Sequence, residues 1–374
     1  MAGRWFAVGI LTLLGIPMLA PPVIGDWETD TWISNVIGPE RLENGDEFGC
    51  HGYEGVNTIE ENWVIEACRE YLTELTASSR WGMEPISFGI SGDFLDQKTA
   101  DSIVDSGFLI VGDSLEHVPD GLVHFFRNGA SLEKGVADSE LVESAAEDTL
   151  VSIHWRARID DLRVREDSDF IAWLEDQDVW FTTWGEWHLH QVAGLSTHVS
   201  VDGSTLNSVS NSTDRWSVPG SVSITFNQDF NGSIISVHDP SFGEYPLIDS
   251  DERKLTHGWR KTAGGMILTQ PPGVSVTIEL DNTPESTLVS PLSTFNGLHH
   301  AVTVVGHHTS NLFRWASNFQ DSELVFTWLL ERPMKEGIGW IIPAVAVAVL
   351  VAVPVTITHI LKKDQSMKFN DQES

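Results

Sequence analysis

Between Leu150 and Thr183 the chain reads LVSIHWRARIDDLRVREDSDFIAWLEDQDVWFTT. Leu150 to His154 is strand-like, Asp167 to Gln177 helical, and Val179 to Thr183 strand-like again. A strand, a helix and a second strand in that order make a crossover unit, which places the two strands parallel in one sheet. The same alternation extends towards the N-terminus. Asn62 to Ser78 carries Val64, Cys68, Tyr71, Leu72 and Leu75 at helical spacing. Pro85 to Ile90 is a short apolar run bounded by glycine, as a buried strand would be. Asp96 to Ser106 reads as a helix and Phe108 to Val111 as a strand. The expected fold class is α/β, as a (β/α) barrel or an open parallel sheet, over residues 1–193.

From about Gly194 the helical patterns stop. Ser221–Phe226, Ser233–Val237, Gly264–Thr269, Val274–Leu280, Ala301–Gly306 and Ser322–Leu330 are short alternating runs separated by Gly, Pro, Asn and Asp. That spacing predicts an antiparallel β-sandwich over 194–335. The reading as a spacer is preferred over carbohydrate binding.

Gly337 to Leu361 reads GIGWIIPAVAVAVLVAVPVTITHIL, with no Asp, Glu, Lys or Arg. About 20 apolar residues suffice to cross a bilayer core as a helix. Pro343 and Pro354 are tolerated in such spans. Trp340 suits the outer interface, and Lys362 and Lys363 suit the cytoplasmic side. The expectation is a single-pass cell-membrane protein with a cytoplasmic tail at 362–374 and the bulk of the chain extracellular. Residues 1–25 have two readings. MAGR followed by WFAVGILTLLGIPMLA has the shape of a signal peptide with cleavage before Asp26, whereas Met18 to Gly25 also reads as a strand of the first domain.

Asp plus Glu number 54 against 22 Lys plus Arg, a net charge of −32. Nucleic acid is excluded as a partner, because a phosphate backbone is met by cationic surface. Acidity spread along the chain keeps a surface hydrated in high salt, which points to a halophilic, archaeal type of source. Cys50 and Cys68 are the two cysteines; they form either a disulfide in an external compartment or two buried thiols. Asn211-Ser-Thr and Asn231-Gly-Ser fit glycosylation sequons.

Leu42 to Tyr53, LENGDEFGCHGY, resembles the "GHEIGCHGYTH" segment of polysaccharide deacetylases of the NodB type. Ile86-Ser-Phe-Gly-Ile-Ser-Gly-Asp-Phe, Lys98 to Phe108 and Gly112-Asp113-Ser114 follow in the order of that family's third block. Val151-Ser-Ile-His154 resembles the late strand carrying a catalytic histidine, and Phe181 to Glu186 the closing strand and last helix. The resemblance covers roughly residues 5–190. It implies a deacetylase-like barrel, a metal-dependent hydrolase acting on or binding acetylated glycan at the cell surface, and zinc or another divalent ion as cofactor.

In that family one Asp and two His hold the metal, a second Asp acts as base and a late His as acid. His51 matches the first metal histidine and His154 the catalytic one. The other positions depart from the pattern. Residue 55 is Gly where the second metal histidine belongs, with Glu54 beside it. The Asp-Asp pair has no counterpart, and Gly89 stands where an arginine is expected. Asp26 and Asp93 are placed so that either could face the same mouth. A catalytic zinc needs three protein ligands, so the expectation is a degraded site: His51 and His154 in one pocket, no three ligands converging, and weak or no zinc binding. The alternative function is an inactive structural or glycan-binding surface protein. His188 and His190 with Glu186, and the pairs His299-His300 and His307-His308, lack ligand spacing and read as loop or edge histidines. Trp180, Trp184 and Trp187 read as packing between domains, in preference to sugar-stacking platforms.

Overall fold

The structure is a computed structural model describing residues 38–53, 55–90, 92–113, 115–129, 131–132, 137–156, 167–240, 243–307, 322–332, 347–359 and 361. Two compact units are present: Glu28–Pro333, and Met1–Trp27 together with Met334–Ser374. In the latter, 347–359 is helical with exposed apolar side chains. Among the described residues no helix is long and apolar enough to cross a membrane. Much of the expected span Gly337–Leu361 lies outside the described residues, as do the Met18–Gly25 strand and the 362–374 tail.

The Glu28–Pro333 unit is built on a nearly closed parallel sheet. Its strands in chain order are β1 (Glu47–Tyr53), β2 (Ser87–Ile90), β3 (Ile110–Asp113), β4 (Val123–Phe126), β5 (Leu150–Arg156), β6 (Trp180–Phe181), β16 (Ala301–His307) and β17 (Phe326–Arg332). They lie side by side as β4-β3-β2-β1-β17-β16-β5, with β6 also pairing β16. The segment after β4 narrows the gap to β5: the Gly129 and Leu132 amides donate to the Ser152 and His154 carbonyls at 3.0 and 2.8 Å. Parallel strands covered on both faces are buried throughout, and all seven residues of β1 are buried.

Period-two alternation sorts β1 onto two faces. Cys50 points outwards to helix α2 (Trp63–Leu75), whose Val64, Ile65, Cys68, Tyr71 and Leu72 are buried. Cys50 and Cys68 form a disulfide. Inwards, Glu47 and His51 mark two levels of the interior. At the lower level, the N-terminus of helix α6 (Trp184–Leu195) meets the sheet. The Trp184 amide donates to Thr327 Oγ1 and its indole to Ser152 Oγ, both at 3.0 Å, and the Gly185 amide donates to Glu47 Oε2 at 2.8 Å. Trp184 can lie over the sheet because residue 112 is glycine; a Cβ there would sit 2.3 Å from its ring.

Strands β7 (Thr197–Asp202), β8 (Thr205–Ser210), β9 (Gly220–Phe226), β10 (Ile234–Asp239), β11 (Gly243–Glu244), β12 (Gly258–Thr262), β13 (Gly265–Gln270), β14 (Ser275–Leu280) and β15 (Thr287–Pro291) form two antiparallel sheets, one of five strands (β11-β10-β14-β8-β7) and one of four (β12-β13-β9-β15). Leu206, Ile278 and Val276 from one meet Val222, Ile224, Met266 and Leu268 from the other in a shared core. The sequence reading carried this β-module to residue 335. Instead Ala301–His307 and Phe326–Arg332 pair parallel to β5 and β1 and occupy the middle of the first sheet. The β-module is therefore an insertion within the α/β domain. Short apolar runs do not state which sheet they join, and both β16 and β17 are buried on both sides like β1.

The tryptophan cluster is core. Trp180, Trp184 and Trp187 are buried with Trp216, Val218, Ile248 and Leu255 of the inserted module. A peptide of the insertion also hydrogen-bonds to the α/β domain: the Phe181 amide donates to the Arg253 carbonyl at 2.9 Å, and Arg80 donates to the Leu255 carbonyl at 2.7 Å.

Candidate metal centre

Four adjacent strands, β1, β17, β16 and β5, each carry one polar side chain at the upper level, towards their C-terminal ends: His51, Glu331, His307 and His154. Strand C-termini are where loops of a parallel barrel present a site. All four are buried, at 4%, 7%, 2% and 4% exposure. Burying that much polarity has to be balanced by partners or by an ion.

His51, His307 and Glu331 each offer a ligand atom, and these three atoms lie within 4.8 Å of one another. The His307 Nε2 to Glu331 Oε2 distance is 3.2 Å. That is close to the roughly 3.4 Å edge of a tetrahedron with bonds of about 2.1 Å. His51 stacks on His307 with ring centroids 3.6 Å apart and planes 24° from parallel. The His154 ring is 6.3 Å from that of His307, tilted by 48°. The donor set, two imidazoles and one carboxylate, suits a divalent ion such as zinc, and it is the set found in hydrolytic zinc sites. The expectation that no three ligand groups gather around His51 is thus corrected.

The backbone explains how His51 arrives there. Residue 89 on β2 is glycine, and a Cβ at that point would lie 2.3 Å from His51 Cδ2. The position where the sequence comparison anticipated an arginine is thus the floor on which the His51 ring rests.

Below this level, Glu47 is fully buried and accepts from Ser87 Oγ and the Gly185 amide. Burial pushes its carboxyl above the usual carboxylate range, against the lowering effect of those hydrogen bonds, with nearby Glu186 adding to the rise.

The other sequence candidates fall elsewhere. Asp26 and Glu54 lie outside the described residues, and Asp93 is exposed in the loop after β2. His188 and His190 sit on α6, where helical geometry separates them. His190 is buried and donates from Nδ1 to the Pro219 carbonyl at 2.7 Å. His299 and His300 contact each other through their Nδ1 atoms at 3.1 Å, before β16 begins. His307, set aside from the sequence as a loop or edge histidine, is instead buried at the end of an interior strand, and Glu331 was not singled out. The signal was present as a repeated form: FGCH51, VSIH154 and VVGH307 each end a strand-like run on histidine. Comparison with known protein families, with curated proteins and with solved structures finds no match for this chain.

Proposed function

We propose that the protein is a zinc-dependent hydrolase acting on acetylated glycan at a membrane surface. The observation that carries the reading is the gathering of His51, His307 and Glu331 at the C-terminal mouth of a parallel sheet, beside His154. A divalent ion at such a site polarises a carbonyl and activates water. His51 and His307 would hold it through ring nitrogens and Glu331 through a carboxylate oxygen. His154 stands one ring further along the mouth and is the group to move a proton to a leaving nitrogen or oxygen. The glycan substrate comes from the NodB-type resemblance of 42–53 and 151–154, and the membrane from the apolar, uncharged run 337–361 followed by Lys362 and Lys363.

A second reading is a glycan-binding surface protein without turnover. It is favoured by Gly55 at the second metal-histidine position and by the lack of an Asp-Asp counterpart. The His307–Glu331 contact would then be a buried hydrogen bond.

Metal analysis of the purified chain, together with acetate release from acetylated chito-oligosaccharides, tests both. The first reading expects one tightly held zinc per chain and acetate release abolished by chelation. Binding of the oligosaccharide without acetate release supports the second. A chain that takes up no added zinc refutes the first.

A further inference from the structure

His51 occupies an irregular point of β1. The pairing with β17 runs Cys50 to Leu330 and then Gly52 to Glu331, so the register shifts at His51. This is a β-bulge, in which two residues of one strand oppose one of its partner. Gly52 completes it with φ +81°, a conformation that favours glycine. The side chains on either side of the bulge go opposite ways. His51 lies inwards over Gly89, while Cys50 is bonded to Cys68 on α2. Both cysteines are fully buried, and α2 also closes on the bulge through Val64, whose Cγ2 is 3.4 Å from where a Gly52 Cβ would be. A strand that slips by one residue exchanges its faces; here that would carry His51 away from His307 and Glu331.

We propose that Cys50 and Cys68 are positioning residues for the metal centre: their disulfide fixes the bulge register and so aims His51 at His307 and Glu331. The inference rests on the metal reading given above. The link ties the residue immediately before the ligand to a helix on the opposite face. It thereby resists the rotation about β1 that would lose one of three donors.

The test uses cobalt(II) as the probe in the full chain, comparing oxidised wild type with a Cys50→Ala/Cys68→Ala double variant and with His51→Ala. Affinity comes from titration and coordination from the visible absorption of the bound ion. The double variant should bind cobalt at least tenfold more weakly, with a spectrum shifted towards that of His51→Ala, while circular dichroism shows the metal-free chain folded. A merely structural link would lower the melting temperature and leave the spectrum unchanged. Gly52→Ala, which keeps the disulfide but strains the bulge, serves as a second arm should the double variant not fold, and is expected to show the same spectral shift. If oxidised wild type binds no cobalt, the metal reading itself fails. If it binds, and the folded disulfide-free chain (or, where that does not fold, Gly52→Ala) binds with equal affinity and an unchanged spectrum, this inference alone is overturned.

Discussion

The imidazoles of His51 and His307 lie face to face with their centroids 3.6 Å apart, although an entire β-sandwich separates them in sequence. The contact joins β1 to β16 across β17, whose Glu331 completes the group. It depends on small neighbours as much as on the ligands themselves.

Removing either partner should therefore remove the metal. His307→Ala and Glu331→Gln are each expected to weaken zinc binding by about 100-fold or more, since each leaves two protein donors where a catalytic site uses three. His154→Ala should leave zinc content unchanged. Isothermal titration with zinc separates the two outcomes, and loss of zinc in His154→Ala would place that residue among the ligands.

Gly89→Ala should act on the same site from a neighbouring strand. The added methyl would fall 2.3 Å from His51 Cδ2 and 2.7 Å from Leu329 Cδ1, so something must move. Overpacking of this kind costs typically 1–3 kcal/mol. We expect a lowered melting temperature together with weakened zinc affinity. A variant that melts early but binds zinc as wild type does would show that Leu329, rather than His51, gives way.

Asp46 should be a stability residue with no direct part in the chemistry. It is fully buried, forms an ion pair with Arg41, and accepts from the Trp328 indole at 2.7 Å, the Phe326 amide at 3.2 Å and Asn44 at 2.9 Å. Removing one member of a buried pair costs about 3–5 kcal/mol. Asp46→Ala is expected to lose that much in urea unfolding, whereas Arg69→Ala, whose Glu84 partner is largely exposed, should lose no more than about 1 kcal/mol.

Two buried groups should shape the acid side of the stability curve in opposite senses. Burial depresses His190 to about 4, the Pro219 carbonyl opposing. The unfolded chain then binds the proton first, so its contribution is complete above pH 6.5 and is lost as pH falls towards 4, by at most roughly 3 kcal/mol. Glu47 has a raised pKa, so its contribution is complete below 4.5 and declines as pH rises. His190→Asn keeps a donor for the Pro219 carbonyl but cannot titrate. Its unfolding free energy should fall less than that of wild type between pH 6.5 and 4. Parallel curves for the two proteins would refute the assignment.

Much of the α/β domain was legible because its elements are short and well punctuated. The helix read at Asp96–Ser106 is realised as Gln97–Asp105, with the Asp96 side chain accepting from the Thr99 amide at 2.9 Å, and the Asn62–Ser78 pattern is realised as Trp63–Leu75. The antiparallel module was legible from the same alternation. What failed was the assignment of β16 and β17, since an apolar run such as AVTVVG suits a sandwich core and a parallel barrel equally. The site failed for the same reason. His307 and Glu331 acquire meaning only from neighbours in the sheet, and the comparison that singled out His51 directed attention to position 55, which is glycine. His51 itself was visible because its local turn, Gly-Cys-His-Gly-Tyr, is chemically distinctive.

The order of strands in the sheet also fixes an order in time. During synthesis β1 and β5 leave the ribosome with His51 and His154, and the whole β-sandwich must follow before His307 and Glu331 exist. β17, the last strand among the described residues, enters between β1 and β16. Until it arrives the sheet has a gap at its middle, and no metal site can form. Any nascent chain cut short before residue 331 consequently lacks Glu331, and the group of His51, His307 and Glu331 gathers only once β17 has been delivered.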